Sequence, residues 1–126
     1  MKKIVETASA PAPVGPYSQA VESHGFLFCS GQISIDPKTN EVFKGPVGEQ
    51  TKRVMENIKA VLAAADLTFE NVIKTSIFLT DMGDFSQVNE VYSGYFKSQF
   101  PARSTIAVGA LPKGVNVEIE VIARRS

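Results

Sequence analysis

Two stretches near the C-terminus alternate apolar and polar residues, and this alternation constrains the fold more than any other feature of the chain. Residues 102–108 and 115–123 each show the period of two that is typical of a β-strand with two different faces. Turn-forming residues fill the interval from Gly109 to Gly114. The sequence therefore predicts two strands of one sheet, each with one face toward a core.

The same alternation places two charged residues. In the earlier strand Ser104, Ile106 and Val108 share one side. If this side and the apolar side of the later strand pack on the same core, Arg103 and Glu118 lie together on the opposite face. A guanidinium binds a carboxylate through two parallel hydrogen bonds, and a neighbouring carboxylate can deprotonate water. The pair indicates either a site that hydrolyses a small organic acid or a cross-strand ion pair in solvent.

Length and composition indicate one domain that spans residues 1–126. The chain has 126 residues, and this length suffices to bury one core without disulfides or metal. Its 44% hydrophobic and 21% charged residues are ordinary for a globular domain. Thirteen basic residues balance 13 acidic ones, so no general attraction to nucleic acid or to an anionic membrane is expected. The single cysteine, Cys29, and an N-terminus without the apolar segment of a signal peptide predict a cytoplasmic location.

The remaining patterns predict the order strands, helix, strand, helix, strands. Apolar residues recur at helical spacing over residues 48–65 and from Phe85 to Phe96, with Asp84 as the expected N-cap of the second helix. Further strands are predicted over residues 3–6, 18–22, 25–30 and 72–80. This order predicts an α+β fold: a single mixed, mostly antiparallel sheet with two helices on one face.

The sheet face opposite the helices is expected to combine apolar and polar groups. The residues predicted there are Phe26 and Phe28, or Leu27 in their place, parts of 72–80, and Arg103 with Thr105. Such a face is too apolar to remain in contact with water. Burial against identical subunits is therefore expected.

Several motifs resemble those of the RidA family, which is also called YjgF. They are APAPVGPYSQA at 10–20, SGQISIDPKT at 30–39, PARST at 101–105, LPKG at 111–114 and VEIE at 117–120. Their order matches the family across nearly the whole chain. The resemblance implies a chorismate-mutase-like subunit, a homotrimer with a central barrel, and sites in the clefts between subunits.

RidA enzymes hydrolyse reactive 2-imino acids, or their enamine tautomers, to 2-oxo acids and ammonia. The resemblance thus implies a 2-iminobutanoate/2-iminopropanoate deaminase that limits metabolite damage. Arg103 matches the arginine that binds the substrate carboxylate, and Glu118 matches the glutamate that positions the attacking water. No cofactor is implied, and one histidine and one cysteine without paired ligand spacing predict no metal site.

Five further positions match family site residues. Tyr17 is expected to act in catalysis, and Ser30, Gly31, Asn89 and Thr105 are expected to bind substrate. The residues alone, without the resemblance, favour a half-buried loop tyrosine for Tyr17 and a surface residue of a helix for Asn89. Thr105 stands where some relatives carry cysteine, so thiol-dependent reactivity is not expected here.

Two other functions remain open. One is an endoribonuclease or translation inhibitor, although the neutral charge and the lack of an aromatic-and-basic stripe disfavour RNA binding. The other is a non-catalytic metabolite-binding regulatory module that uses the same cleft. Glu118 favours catalysis, because carboxylate binding alone needs no second negative charge. Cys29 and His24 are disfavoured as a nucleophilic pair because no third group is predicted to orient them.

Overall fold

A computed structural model describes residues 1–126 as one six-stranded sheet with two helices on one face. The strands are β1 (Lys3–Val5), β2 (Ala20–Ser23), β3 (Phe26–Gln32), β4 (Val72–Leu79), β5 (Ala102–Ala107) and β6 (Val117–Arg124), and the helices are α1 (Val47–Ala64) and α2 (Phe85–Ser93). The predicted α+β class is confirmed.

The strand order in the sheet is β1-β2-β3-β6-β4-β5. Every neighbouring pair is antiparallel except β4 and β5, which run parallel, so the sheet is mixed and mostly antiparallel as predicted. The two C-terminal strands are not neighbours, because β4 lies between β5 and β6. As a result β5 forms one free edge of the sheet.

The core lies between the sheet and α1. On β6 the apolar residues predicted to share a face, Val117, Ile119, Val121 and Ala123, are all buried. The buried stripe of α1 comprises Val47, Val54, Met55, Ile58, Val61 and Leu62. Each fully buried aliphatic side chain contributes roughly 1.5–3 kcal/mol relative to exposure, so this contact is the main stabilising layer of the fold.

The second helix begins differently from the prediction. Asp84 makes no side-chain cap, whereas the carboxylate of Asp81 accepts a hydrogen bond of 2.8 Å from the Gly83 N–H in a preceding 3-10 turn. The helix ends at Ser93, so Phe96 lies beyond it and packs on the Tyr92 ring, with centroids 5.0 Å apart. Neither helix combines the length and apolar character that crossing a bilayer would require.

The faces of β5 are opposite to the predicted ones. Arg103 and Thr105 lie beside Thr75 and Ile77, which are buried under the helices, and Ile106 lies on the open face. The alternation was predicted correctly, but it defines two faces without saying which one meets the helices. The apolar side of β5 continues an apolar open face rather than the core.

The open face of the sheet carries large apolar side chains. Phe28 and Ile106 are 48% and 50% exposed there. Phe26 shares this face as expected, whereas Leu27 is fully buried in the core. Glu118 and Glu120 point to the open face from β6, because they alternate with the buried residues of that strand.

Candidate active site

A cavity of about 440 Å³ lies where the end of β3 meets β6. Its lining includes Tyr17, Ser30, Gly31 and Glu118, which we call the glutamate cluster. Ser30 and Gly31 form a bulge, since these two residues of β3 face only Glu120 between the flanking pairs with β6. Bulges occur often beside active sites because they redirect side chains and interrupt strand pairing.

The bulge allows a close contact between Gly31 and Glu118. A Cβ atom on Gly31 would overlap Oε2 of Glu118 and would lie 2.9 Å from its Cδ. The carboxylate therefore lies directly over the backbone of residue 31, in space that any other residue would fill. Glycine is required here for close approach rather than for an unusual backbone angle.

The environment of Glu118 favours its protonated form. Partial burial raises the pKa of this carboxyl above its ordinary value of 4.5, and the negative charge of Glu120 adds a smaller effect in the same direction. A carboxylate with a raised pKa holds a proton more strongly, which makes it a better general base. Glu118 is thus suited to exchange protons with a water molecule in the cavity.

The segment that carries Tyr17 is tied to the end of β3. The Ser30 hydroxyl donates to the Ser18 carbonyl over 2.6 Å, and the Ser30 N–H donates to the Gln19 carbonyl over 2.9 Å. The Tyr17 N–H closes a tight turn onto the carbonyl of Gly15. Tyr17 is 51% exposed, so its phenol is accessible at the cavity.

A second group of residues surrounds Arg103 on the other side of the sheet. Its Nη1 donates a hydrogen bond of 2.7 Å to Oδ1 of Asn89 on α2. The guanidinium carbon lies 5.2 Å from the ring centre of Tyr92 and 5.4 Å from that of Phe85, within the range of cation–π attraction. We call Asn89, Tyr92 and Arg103 the arginine cluster.

The arginine cluster leaves a positive charge without an anion. The two ion pairs of the chain are Arg53–Glu49 and Arg125–Glu22, and neither includes Arg103. Asn89, a neutral acceptor, occupies one of the five guanidinium donors, so others remain available to a carboxylate. A second cavity of about 440 Å³ lies beside the cluster and is lined also by Ser93, Phe100 and Pro101.

Thr105 follows Arg103 on the same face of β5. Its Oγ1 is buried and has no hydrogen-bond partner. Its N–H points to the free edge of the sheet, because the Val108 N–H donates to Leu79 of β4 and successive N–H groups of a strand point to opposite sides. The backbone of Thr105 therefore offers an unused donor close to Arg103.

The predicted pairing of Arg103 with Glu118 is wrong within one chain. The two side chains lie on opposite faces of the sheet, on strands that β4 separates. Glu120 points to the same face as Glu118, so it does not contact Arg103 either, and Asn89 is the hydrogen-bond partner of Arg103. The prediction failed because β5 pairs in parallel with β4 instead of forming a hairpin with β6.

Two residues at these cavities were not predicted from the sequence as site residues. Tyr92 is held by a hydrogen bond of 2.8 Å between its hydroxyl and Oγ1 of the buried Thr75. Its position three residues after Asn89, on the same side of α2, was the available signal. Lys113 lines the cavity of the glutamate cluster with a φ of 61°, a strained angle for a residue with a side chain.

Cys29 and His24 take no part in either cluster. Cys29 faces the core, where burial raises the pKa of its thiol to about 12, so the reactive thiolate is scarce near neutral pH. His24 lies in the β2–β3 turn with its Nδ1 3.0 Å from the Ser23 hydroxyl. No three or more His, Cys, Asp and Glu side chains are grouped so that they could hold a metal ion.

The comparisons with known proteins agree over nearly the whole chain. The family model described as Endoribonuclease L-PSP matches residues 7–125. A RutC family protein of Pyrococcus horikoshii is 52% identical over 98% of this chain and 98% of its own length. The human 2-iminobutanoate/2-iminopropanoate deaminase is 46% identical over 98% of this chain and 90% of its own length.

A solved structure gives the same result for the fold. E. coli TdcF with bound serine superposes with a TM-score of 0.94 at 43% identity, over 98% of this chain and 99% of the other. The match therefore covers nearly the whole chain. The chain belongs to the Endoribonuclease L-PSP family, which is the YjgF/RidA family that its motifs resemble.

Proposed function

We propose that this protein hydrolyses reactive 2-imino acids, such as 2-iminobutanoate and 2-iminopropanoate, to 2-oxo acids and ammonia. The observation that carries the proposal is the division of acid-binding and proton-transferring groups between two clusters. Arg103 is a fixed guanidinium without an anion, and Glu118 is a carboxylate with a raised pKa. The human deaminase, at 46% identity, supports the same assignment.

The two clusters become one site when copies of the chain assemble. Arg103 projects from β5, which is the free edge strand, so it can reach the open sheet face of a neighbouring copy that carries Glu118. The exposed Phe28 and Ile106 on that face supply an apolar surface for association. We propose a homotrimer in which the open faces line a central barrel and each cleft joins two chains.

In this arrangement each group has a defined role. The substrate carboxylate binds the free donors of Arg103, whose plane is held by Asn89, and the N–H groups of Gly31 and Thr105 add further hydrogen bonds. Ser30 shapes the wall of the cleft. The phenol of Tyr17 contacts the imine nitrogen or the attacking water.

The reaction needs one water molecule and internal proton transfer. Glu118 accepts a proton from water while the water oxygen forms a bond to C2 of the protonated imine. The product of this step is a carbinolamine. Glu118 then returns the proton to the amine nitrogen. The C–N bond breaks and ammonia leaves, the hydroxyl oxygen becomes the carbonyl of the 2-oxo acid, and Glu118 passes the hydroxyl proton to ammonia, which departs as ammonium.

Two observations bear on the chemical class of the ligand. The related structure of TdcF contains serine, a small molecule with one carboxylate and one amine. The cavities beside both clusters, each about 440 Å³, suit a small acid better than a folded polymer.

A buried free thiol at Cys29 is consistent with the reducing cytoplasm that we propose as the location.

Ribonuclease activity is the second candidate, because the matching family model is described as an endoribonuclease. The chain has no net charge, so the electrostatic attraction that usually brings RNA to a protein is weak. A non-catalytic module that binds a metabolite in the same cleft is the third. It would keep Arg103 but would have no use for proton transfer by Glu118.

One assay separates these functions. Imines are generated by a threonine dehydratase, and the release of 2-oxobutanoate is followed with and without the purified protein. We expect faster release with the wild type and the spontaneous rate with Glu118→Gln, while Glu118→Gln still binds 2-oxobutanoate. A wild-type rate equal to the spontaneous rate would contradict the deaminase. Cleavage of a labelled RNA by the same preparation would favour the nuclease.

A further inference from the structure

One buried side chain holds the whole segment that precedes Tyr17. The Gln19 side chain is only 1% exposed, and its Nε2 donates to the carbonyls of Thr7 (3.1 Å), Ala10 (3.2 Å) and Pro11 (2.8 Å). Its Oε1 accepts a hydrogen bond of 2.7 Å from the Thr7 N–H. A single amide thus uses both of its donors and its acceptor on one loop.

The loop has little else to hold it. Residues 7–14 form no helix or strand, and every hydrogen bond that joins them to the rest of the chain uses the Gln19 amide. Their prolines have no N–H to donate. Apart from the packing of the buried Ala10, Gln19 is therefore what sets the path of this loop over the sheet.

The same loop forms a wall of the cavity that contains Glu118. Pro11, Ala12, Val14 and Tyr17 line it. The backbone carbonyl of Gln19 also accepts the Ser30 N–H, so one residue connects the loop, Tyr17 and the bulge of β3. Gln19 also borders this cavity, but its side chain is 1% exposed and its amide donors and acceptor are all used on the loop. We therefore expect it to act on the reaction through these neighbours rather than by binding substrate.

We propose that Gln19 is a positioning residue that holds the loop of residues 7–17 so that the Tyr17 phenol faces Glu118 across the cleft. The proposal rests on the deaminase function proposed above. If it holds, loss of the Gln19 amide removes the contribution of Tyr17 without touching the substrate. The effect should fall mainly on kcat, because the carboxylate anchor at Arg103 belongs to the other cluster.

The test combines a double-mutant cycle with amide hydrogen exchange. Gln19→Met keeps the approximate size of the side chain and removes its hydrogen bonds, and Tyr17→Phe removes only the phenol oxygen. We expect Gln19→Met to lower kcat on the order of 100-fold, the cost of a misplaced catalytic group. The double variant should be no slower than the slower single variant, because both changes remove the same contribution.

Hydrogen exchange tests the loop without reference to activity. In Gln19→Met the amides of Thr7, which donates to Gln19, and of Ser9, which donates to the Thr7 hydroxyl, should exchange much faster than in the wild type, while those of β6 stay protected. If Gln19→Met does not fold, Gln19→Glu replaces it, since an ionised carboxylate keeps the acceptor for Thr7 and lacks the amide donors to Thr7, Ala10 and Pro11. With this variant the double-mutant cycle with Tyr17→Phe carries the test, because the Thr7 amide keeps its acceptor. Thr51→Val, which removes another buried hydrogen bond in α1, controls for a general loss of stability and should keep its kcat.

Unchanged exchange in the loop would overturn the proposal, whatever the enzyme's activity. Fully additive losses in the double variant would overturn it as well, because Gln19 would then act independently of Tyr17. A wild type without deaminase activity but with a loop that loosens in Gln19→Met would refute the proposed function and leave the structural role of Gln19 intact.

Discussion

At the scale of single residues, the glutamate cluster depends on the absence of a side chain at Gly31. The Glu118 carboxylate occupies the space that a Cβ would need, and burial together with Glu120 raises the pKa of that carboxylate. The sequence predicted Gly31 and Glu118 as site residues. It could not predict their mutual contact, because the contact depends on the bulge in β3 opposite Glu120.

Gly31→Ala should displace the Glu118 carboxylate while the fold stays intact. The atom that must move is the end of a flexible side chain, so we expect a small change in the free energy of unfolding and a large fall in kcat. Gly109→Ala is the matched control, since a Cβ there meets no atom within 4 Å. Equal activities of the two variants in the imine assay would contradict the contact between Gly31 and Glu118.

Glu120→Gln should move the acid limb of the kcat/KM profile to lower pH. Glu120 raises the pKa of Glu118, so its neutralisation lets Glu118 ionise, and act as a base, in more acidic solution. The raised pKa of Glu118 also makes the free energy of unfolding fall as the pH rises. Because the folded-state pKa of Glu118 exceeds 4.5, its stabilising contribution is present below pH 4.5 and is lost as the pH rises through the folded-state value. An unshifted or higher acid limb would argue against Glu118 as the base.

At the scale of elements, α2 and β5 together set the position of the Arg103 guanidinium. Asn89 accepts a hydrogen bond from one nitrogen of Arg103, and the guanidinium carbon lies over the rings of Tyr92 and Phe85. The alternation in residues 102–108 predicted that Arg103 and Thr105 share a face. It did not reveal that this face meets α2, because the direction of a strand's faces depends on which strand it pairs with. β5 pairs in parallel with β4, and this pairing sets which face of β5 meets α2.

Arg103→Lys should abolish most of the activity without unfolding the protein. An ammonium is a point charge that cannot hold a carboxylate and the Asn89 amide in one plane, so we expect a loss in kcat/KM on the order of 100-fold. Arg53→Lys is the control, since Arg53 also stacks on an aromatic ring, Phe43, at 4.0 Å but lies in α1 away from both clusters. Comparable kcat/KM values for the two variants would contradict the proposal that Arg103 binds the substrate carboxylate.

At the scale of the whole molecule, the fold separates the two groups that the proposed reaction needs. The sheet order places β4 between Arg103 and Glu118, and their side chains point to opposite faces. The motifs predicted the family correctly, and the residue patterns predicted one mixed sheet with two helices but not the cap or the end of the second helix. In the proposed assembly the two halves meet through contacts of the β5 edge and the apolar open face with other copies, and no pattern within one chain shows such contacts.

Complementation between two inactive variants tests this account most directly. Arg103→Lys and Glu118→Gln are each purified, mixed in equal amounts, unfolded and refolded together, and the mixed trimers are verified by native mass spectrometry. In random trimers about one quarter of the clefts join an intact Arg103 to an intact Glu118, because each chain at a cleft is of the required type half the time. We predict imine hydrolysis at about that fraction of the wild-type rate. Mixed trimers as inactive as either variant alone, or a wild-type monomer with full activity in sedimentation, would contradict a shared site.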